Sequence, residues 1–154
     1  ISWLEEPVSP DDKRGMAEVR ASTDVPISTG ESEFTRFAFR DLAELRACDI
    51  FQPDLSICGG VTEAMRIEAI ASAYQLRYAP HLWGGALTFA AGLHTLVVAS
   101  TGFIVEYSLG ANPMLHELAV EDFSVVDGHL DVPDRPGLGV TVDEAFVEKY
   151  RVTD

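Results

Sequence analysis

Five acidic or imidazole side chains recur at a nearly constant interval along this chain of 154 residues. They are Glu5, Glu31, Asp54, His81 and Glu106, separated by 26, 23, 27 and 25 residues. Carboxylates bind hard divalent cations through oxygen, and an imidazole beside a carboxylate transfers protons near neutral pH. The residue types therefore predict metal-assisted proton transfer, provided that the fold brings the five side chains to one place.

Short apolar strands and helices alternate between these residues. Strands are predicted at residues 2–5, 25–28, 49–53, 77–80 and 103–106, and helices at about 11–22, 33–46, 61–75 and 86–100. The repeat has the length of one strand–helix unit. Alternating units favour parallel strands joined by right-handed crossovers, with the helices outside the sheet.

The carboxyl ends of parallel strands meet at one edge of a sheet, where active sites form. Carboxylates gathered there raise one another's pKa by repulsion, and a divalent cation relieves that repulsion. Glu5 and Glu31 follow adjacent strands and are the natural pair of Mg²⁺ ligands. Asp54 can accept an N–H of His81 and leave the other ring nitrogen for proton transfer.

Each of the five residues also has a structural interpretation when it is considered alone. Glu5 can be a solvated loop acid, and Glu31 an acid that favours the N-terminus of the next helix. Asp54 can cap a turn, His81 can be a packed histidine, and Glu106 can be a plain strand end. The shared register of all five residues, rather than any single one, favours a site.

Apolar spacing predicts the buried faces of the helices and the structure of the C-terminal part. The predicted buried residues are Phe34, Phe37, Leu42 and Leu45 in the second helix, Met65, Ala69 and Ala73 in the third, and Ala86, Phe89, Ala90, Leu93 and Val97 in the fourth. Further along, Asp127-Gly128 predicts a hairpin between residues 123–126 and 129–132. Thr141 is expected to cap a last helix at about 142–150.

The composition excludes several classes of partner. The net charge is −14, with only two lysines, which disfavours binding to nucleic-acid phosphates. No stretch has the roughly 18 uncharged apolar residues of a membrane span. We therefore expect a cytoplasmic protein with no nucleic-acid or membrane partner, in which Cys48 and Cys58 are reduced. The acidic surface suits either a high-salt cytoplasm or an ordinary acidic protein, and both interpretations stay open.

The segments around the five residues resemble the enolase superfamily, mandelate racemase subgroup. The similar segments are WLEEP at 3–7, PISTGE at 26–31, QPD at 52–54 with GGVT at 59–62, PHLW at 80–83, Glu106, and PDRPGLG at 133–139. The resemblance covers essentially the whole chain. It implies a Mg²⁺-dependent enzyme that removes the proton α to a carboxylate.

The resemblance also implies a role for each of the five residues. Glu5 and Glu31 match metal ligands on the fourth and fifth strands of the family's barrel. Asp54 and His81 match the proton-transfer pair on the sixth and seventh strands. Glu106 matches the acid on the eighth strand that hydrogen-bonds the substrate carboxylate. The third metal ligand and a basic residue of the second strand match nothing in this sequence.

The expected fold class is α/β, the C-terminal part of a (β/α)8-type barrel with about five strand–helix units, followed by a hairpin and a helix. Residues 1–109 would form strands four to eight of the family's barrel. Residues 110–154 would return toward a capping domain that lies outside this sequence. We therefore expect unpaired outer edges at residues 2–5 and 103–106.

The expected function is dehydration of an acid sugar to a 2-keto-3-deoxy acid. A 2-hydroxy-acid racemase or a sugar-lactone cycloisomerase would use the same half-reaction. Lactonising and dipeptide-epimerising relatives are disfavoured, because they resemble a subgroup with lysine where Asp54 stands. A non-catalytic cation-binding α/β module is the alternative of a different class. The expected partner is a small carboxylate substrate, and the full-length protein is expected to be a homo-oligomer.

Overall fold

Four short parallel strands form the sheet that positions the predicted residues. The computed structural model describes residues 1–152. The strands are β1 (Leu4–Glu5), β2 (Ile27–Thr29), β3 (Ile50–Phe51) and β4 (Arg77–Tyr78), paired in that order. Each is followed by a helix: α1 (Lys13–Ala21), α2 (Thr35–Glu44), α3 (Gly60–Ala73) and α4 (Ala86–Val98). The predicted alternation of parallel strands and helices is thus confirmed.

The register of the sheet aligns the carboxyl ends of its strands. Glu5 lies opposite Ser28, Thr29 opposite Phe51, and Phe51 opposite Tyr78. The polar residues at or just after these ends therefore share one edge. Within residues 1–152, β1 pairs with β2 alone, so its outer edge is open, as expected.

The predicted fifth strand at 103–106 is wrong, because this segment forms no ladder with β4. An isolated parallel bridge joins Tyr78 to Gly102, with the Tyr78 amide 3.0 Å from the Thr101 carbonyl. Two residues after Tyr78, the next backbone nitrogen to face this segment belongs to Pro80, which has no N–H to donate. The pairing therefore does not extend beyond the single bridge. Phe103 instead packs edge-on against Trp3, with ring centroids 6.2 Å apart.

Two apolar clusters form the core. The first fills the space between the sheet and the first three helices and includes Met16, Ile27, Phe39, Leu42, Phe51 and Ile67. The second joins α4 to the C-terminal part and includes Leu82, Phe89, Leu93, Leu115, Phe123 and Phe146. The C-terminal part thus packs on α4 and on the residues that follow β4.

The predicted buried face is correct at one residue of α2 and wrong in phase in α3. In α2 the predicted Leu42 is buried, but Phe34, Phe37 and Leu45 are 69%, 55% and 41% exposed, and Phe39 and Ala43 are buried instead. The Arg36 guanidinium covers the Phe37 ring at 4.7 Å, and cation–π contact of this kind partly shields an exposed ring.

In α3 the buried residues are Glu63, Ala64, Ile67, Glu68 and Ala71, rather than the predicted stripe of Met65, Ala69 and Ala73. Both stripes have helical spacing, and they differ by rotation about the helix axis. The fourth helix was predicted correctly at Ala86, Phe89, Ala90 and Leu93, but Val97 is exposed.

The C-terminal part contains the predicted hairpin and two short helices. Strands β5 (Val125–Val126) and β6 (His129–Leu130) are antiparallel. Asp127 and Gly128 between them both have positive φ, as a tight hairpin turn requires. An unpredicted helix, α5 (Pro113–His116), precedes the hairpin.

The last helix, α6 (Glu144–Lys149), is capped by Asp143 and not by Thr141. The Asp143 carboxylate accepts the amides of Ala145 and Phe146. The Thr141 hydroxyl donates instead to Glu121. The predicted cap was therefore two residues too early.

The two cysteines are buried and unlinked, as expected. Burial raises the pKa of Cys48 to about 12 and that of Cys58 to about 11, so both are inert thiols. No helix within residues 1–152 is both long and apolar enough to cross a bilayer.

Candidate active site

An imidazole and a carboxylate meet at the ends of β3 and β4. Nδ1 of His81 lies 2.9 Å from Oδ2 of Asp54. The other oxygen of Asp54 accepts the amide and hydroxyl hydrogens of Ser56. Asp54 therefore caps a turn and also orients the histidine, so that its structural and functional interpretations both hold in the geometry.

The contact between them raises the pKa of His81 and lowers that of Asp54, so that the charged pair is favoured. The hydrogen bond to Asp54 raises the pKa of His81, burial opposes it, and nearby Glu106 and Glu31 add to the rise. Burial on its own raises the pKa of Asp54, but the hydrogen bonds from His81 and Ser56 outweigh it and leave that pKa below its usual value. An imidazole that holds a proton more firmly can act as an acid as well as a base.

Glu31 reaches this pair from the end of β2. Its Oε2 lies 3.3 Å from Nε2 of His81. Gly30 just before it has φ +136°, and a Cβ there would lie 2.7 Å from the Phe39 ring, so only glycine fits this turn. Burial raises the pKa of Glu31, His81 opposes this, and the carboxylates of Glu6, Glu5 and Glu106 raise it further.

Glu5 stands at the end of β1 and is held by a residue that the sequence did not indicate as functional. Nε2 of Gln52 donates to Oε2 of Glu5 at 3.0 Å, and the Trp3 indole N–H lies 3.5 Å from the same oxygen. Gln52 is 5% exposed. It stands two residues before Asp54, so strand alternation puts both on one face, which was the available signal.

Glu106 joins the same group of side chains although its segment is not a strand. The region that Glu5, Glu31, Asp54, His81 and Glu106 face is called the mouth below. Its Oε2 accepts the Leu82 amide at 2.7 Å. A cavity of about 170 Å³ lies between Glu5 and Glu106 and is also lined by Gln52 and Ala79. All five predicted residues thus face a common region.

Glu6 is a second residue that the sequence did not indicate. Its Oε1 accepts the Thr29 hydroxyl at 2.9 Å and lies 3.5 Å from the Gly30 amide. Its backbone has a positive φ of 38°, which is unusual outside glycine. Glu6 therefore ties the end of β1 to the end of β2, directly before Glu31.

Within residues 1–152, the three remaining histidines contact the C-terminal part of the chain and not the predicted pair. Ring nitrogens of His94, His116 and His129 each contact a backbone carbonyl of the C-terminal part. Trp83, two residues after His81, is 68% exposed and lines a cleft of about 520 Å³ with Asn112 and other residues.

The donors at the mouth fit a hard divalent cation, but their number is insufficient. Glu5 and Glu31 supply carboxylate oxygens, and the buried Gln52 Oε1 has no hydrogen-bond partner. Oxygen donors of this kind suit Mg²⁺. Within residues 1–152, however, no three His, Cys, Asp or Glu side chains form a group that could hold a metal ion.

The sequence model described as Enolase C-terminal domain-like matches residues 1–146. The chain belongs to this family. The resemblance to the enolase superfamily, mandelate racemase subgroup, is therefore confirmed. The parallel sheet is the C-terminal part of an enolase-superfamily barrel, as predicted.

Named relatives of this enolase-family chain are sugar-acid enzymes. A D-galactonate dehydratase of Ralstonia pickettii is 39% identical over 153 residues, covering 94% of this chain and 40% of that protein. A D-galactarolactone cycloisomerase of Agrobacterium fabrum is 32% identical over 162 residues, covering 100% of this chain and 43% of that protein. The chain thus spans about two fifths of the length of these curated relatives.

A solved structure agrees with the sequence relatives. The 3,6-anhydro-D-galactonate cycloisomerase of Zobellia galactanivorans superposes with a TM-score of 0.91 at 37% identity. The superposition covers 97% of this chain and 42% of that one. The match therefore covers less than half the length of each of these proteins.

Proposed function

We propose that this chain carries half of an active site that removes the proton α to a carboxylate, in a Mg²⁺-dependent dehydratase of acid sugars. The single observation that carries the proposal is the position of the His81 imidazole between two carboxylates. Its Nδ1 is held 2.9 Å from Asp54, and its Nε2 lies 3.3 Å from Glu31. One ring nitrogen is thus oriented, and the other lies at the mouth among the carboxylates.

The proton transfer is assigned to His81. Asp54 fixes the tautomer with the hydrogen on Nδ1, so that the neutral ring presents Nε2 as a base, and the protonated ring presents N–H as an acid. In dehydration, the α C–H and the β C–O bonds break. The departing hydroxyl leaves as water after protonation, and the enol product tautomerises to a 2-keto-3-deoxy acid.

The carboxylates serve to bind and orient. Glu5 and Glu31 would hold the cation, with the remaining carboxylate ligand supplied from outside this chain. When bound, the cation would supply the positive charge that makes an α-proton of a carboxylate removable, a pattern known for enolase-superfamily sites. Glu106 would face the substrate carboxylate as its charge increases.

The names of the relatives favour dehydration, and they also support a second candidate function, cycloisomerisation. The relatives include a dehydratase and two cycloisomerases of sugar-derived acids and lactones. A sugar-lactone cycloisomerase would use the same proton removal without loss of water. The non-catalytic cation-binding module is disfavoured, because a purely structural cation site needs no imidazole oriented by Asp54.

We also propose a division of the chain into domains, which rests on its similarity to the C-terminal part of the enolase-superfamily barrel. Residues 1–109 supply the partial barrel, and residues 110–154 lead toward a capping domain; Thr153 and Asp154 lie outside the described residues. We also propose that the full-length protein acts in the cytoplasm as a homo-oligomer on a small-molecule carboxylate.

The decisive experiment screens the full-length protein against a library of acid sugars and their lactones, with and without Mg²⁺. We expect a keto-acid product lighter than its substrate by one water, formed only with Mg²⁺. His81→Asn is expected to lower kcat by about 10²–10⁴-fold, the usual contribution of general acid–base catalysis.

His129→Asn is the matched control, since His129 is exposed on the hairpin and its ring contacts the Asp127 carbonyl of the turn, away from the proposed site. It should retain wild-type kcat. Turnover that survives His81→Asn would rule out the mechanism. A product with the mass of its substrate would favour a cycloisomerase or a racemase over the dehydratase.

A further inference from the structure

Gln52 is a buried amide beside Glu5 to which the proposed reaction assigns no step. Its side chain is 5% exposed and lines the cavity between Glu5 and Glu106. Its Nε2 donates to Glu5 at 3.0 Å, while its Oε1 is buried with no partner among the described residues. An unsatisfied buried acceptor is costly, so this arrangement calls for an explanation.

Chemistry fixes which end of the amide faces Glu5. A carboxylate only accepts hydrogen bonds, so the reverse orientation would bring two oxygens into contact. A lysine or arginine at this position would hold Glu5 too, but its charge would compete with a cation for the carboxylate. A neutral amide donates a hydrogen bond and leaves the negative charge of the mouth intact.

We propose that Gln52 is a positioning residue for Glu5: its N–H occupies one carboxylate oxygen and leaves the other oriented for a divalent cation. This inference rests on the metal site of the proposed function. A flexible carboxylate loses side-chain conformational entropy when it binds a metal. A side chain already held by Gln52 has lost part of that freedom before the metal arrives. Partners of this kind typically contribute 10–100-fold to metal affinity.

The test is Gln52→Met in the full-length protein, because Met keeps the length and volume of Gln but has no N–H. Mg²⁺ dissociation constants are measured by isothermal titration calorimetry after removal of metal with a chelator. We expect the Kd for Mg²⁺ to rise by about 10–100-fold. At saturating Mg²⁺, kcat should fall much less than the affinity.

Tyr78→Phe is the control. It deletes an equally buried hydrogen bond, from the Tyr78 hydroxyl to Thr95 at 3.1 Å, which touches none of the proposed ligands. Its Kd for Mg²⁺ should match that of the wild type. An equal rise in both variants would show a general loss of stability and would overturn the positioning role.

Gln52→Asn provides a second variant that keeps a polar amide but is one methylene too short to reach Glu5. It replaces Gln52→Met if the apolar side chain impairs folding, and the same rise in Kd is expected. A folded variant with the wild-type Kd would exclude the proposal while leaving the metal site intact. A wild-type protein that binds no Mg²⁺ would instead overturn the proposed function, and this inference with it.

Discussion

The two oxygens of Asp54 have different partners. Oδ1 is held by Ser56 and Oδ2 by His81. The turn thereby fixes the carboxylate, and the carboxylate fixes the imidazole. The turn just after β3 therefore contributes to the orientation of His81, together with the contact from Glu31 to the other ring nitrogen.

Replacing the carboxylate of Asp54 tests how much it contributes to kcat. Asp54→Asn keeps the shape and one oxygen, but it removes the carboxylate whose hydrogen bond is the main cause of the raised pKa of His81. We expect kcat of the full-length protein to fall by about 10²–10⁴-fold with little change in melting temperature. Steady-state kinetics and thermal unfolding measure the two effects.

Ser56→Ala is the matched comparison for Asp54→Asn. It removes only the hydroxyl contact to Oδ1 and keeps the Ser56 amide and the contact between Asp54 and His81. A smaller loss of kcat is expected. Wild-type kcat in Asp54→Asn would show that the pair is not used in the reaction.

At the scale of elements, α4 carries Gly92 where it packs against the residue after His81. A Cβ at Gly92 would lie 2.2 Å from Cδ2 of Leu82. Leu82 is fully buried and donates its amide to Glu106. The helix can therefore approach the mouth only because this position lacks a side chain.

Gly92→Ala tests this close approach. Alanine favours the helix by about 1 kcal/mol, but overpacking a filled core typically costs about 1–3 kcal/mol. We expect a lower free energy of unfolding in urea, and a lower kcat because Leu82 and the Glu106 contact are displaced.

Gly110→Ala is the control for overpacking, since its Cβ would meet only the Ser108 hydroxyl, at 3.7 Å. Its stability and kcat should be close to those of the wild type. A Gly92→Ala protein more stable than the wild type would show that Leu82 can move aside freely.

At the scale of the whole molecule, the sheet ends on one side at an unpaired strand. Within residues 1–152, the outer edge of β1 has no partner. Leu4, Phe103 and Ile104 are each more than two fifths exposed. Open strand edges with exposed apolar side chains favour association with further chains.

Residues 1–154 produced alone are therefore expected to self-associate in a concentration-dependent way. Size-exclusion chromatography with light scattering measures this. The full-length protein, in which further strands would cover these edges, should instead keep one defined state. A stable monomer of residues 1–154 at all concentrations would contradict the proposal that the barrel continues beyond this chain.

The residues of the mouth were predictable because a repeat fixes them. Glu5, Glu31, Asp54 and His81 each follow an apolar strand at the interval of one strand–helix unit, and parallel strands bring such ends together. That inference needs only the chain order. The parallel α/β class and the hairpin at Asp127-Gly128 follow from equally local patterns.

Other features depended on contacts between distant segments. The segment at 103–106 has a strand-like sequence, but Pro80 of its neighbour cannot donate to it. The phase of α3 was undetermined because two stripes with the same spacing compete, and only packing selects Ala64, Ile67 and Ala71. Local sequence does not determine which strand pairs or which helix face is buried, because both depend on the surface of a distant segment.

The sequence by itself determined which residue types reach the mouth, through the length of the repeat and the parallel order of the strands. Only the tertiary structure decided how they are held: Gln52 against Glu5, Glu6 against Thr29, and Ser56 and His81 on the two oxygens of Asp54. The physical reason is range. Strand order is set by neighbours in the chain, whereas most of these hydrogen bonds join residues more than 20 positions apart and exist only after the strands have paired.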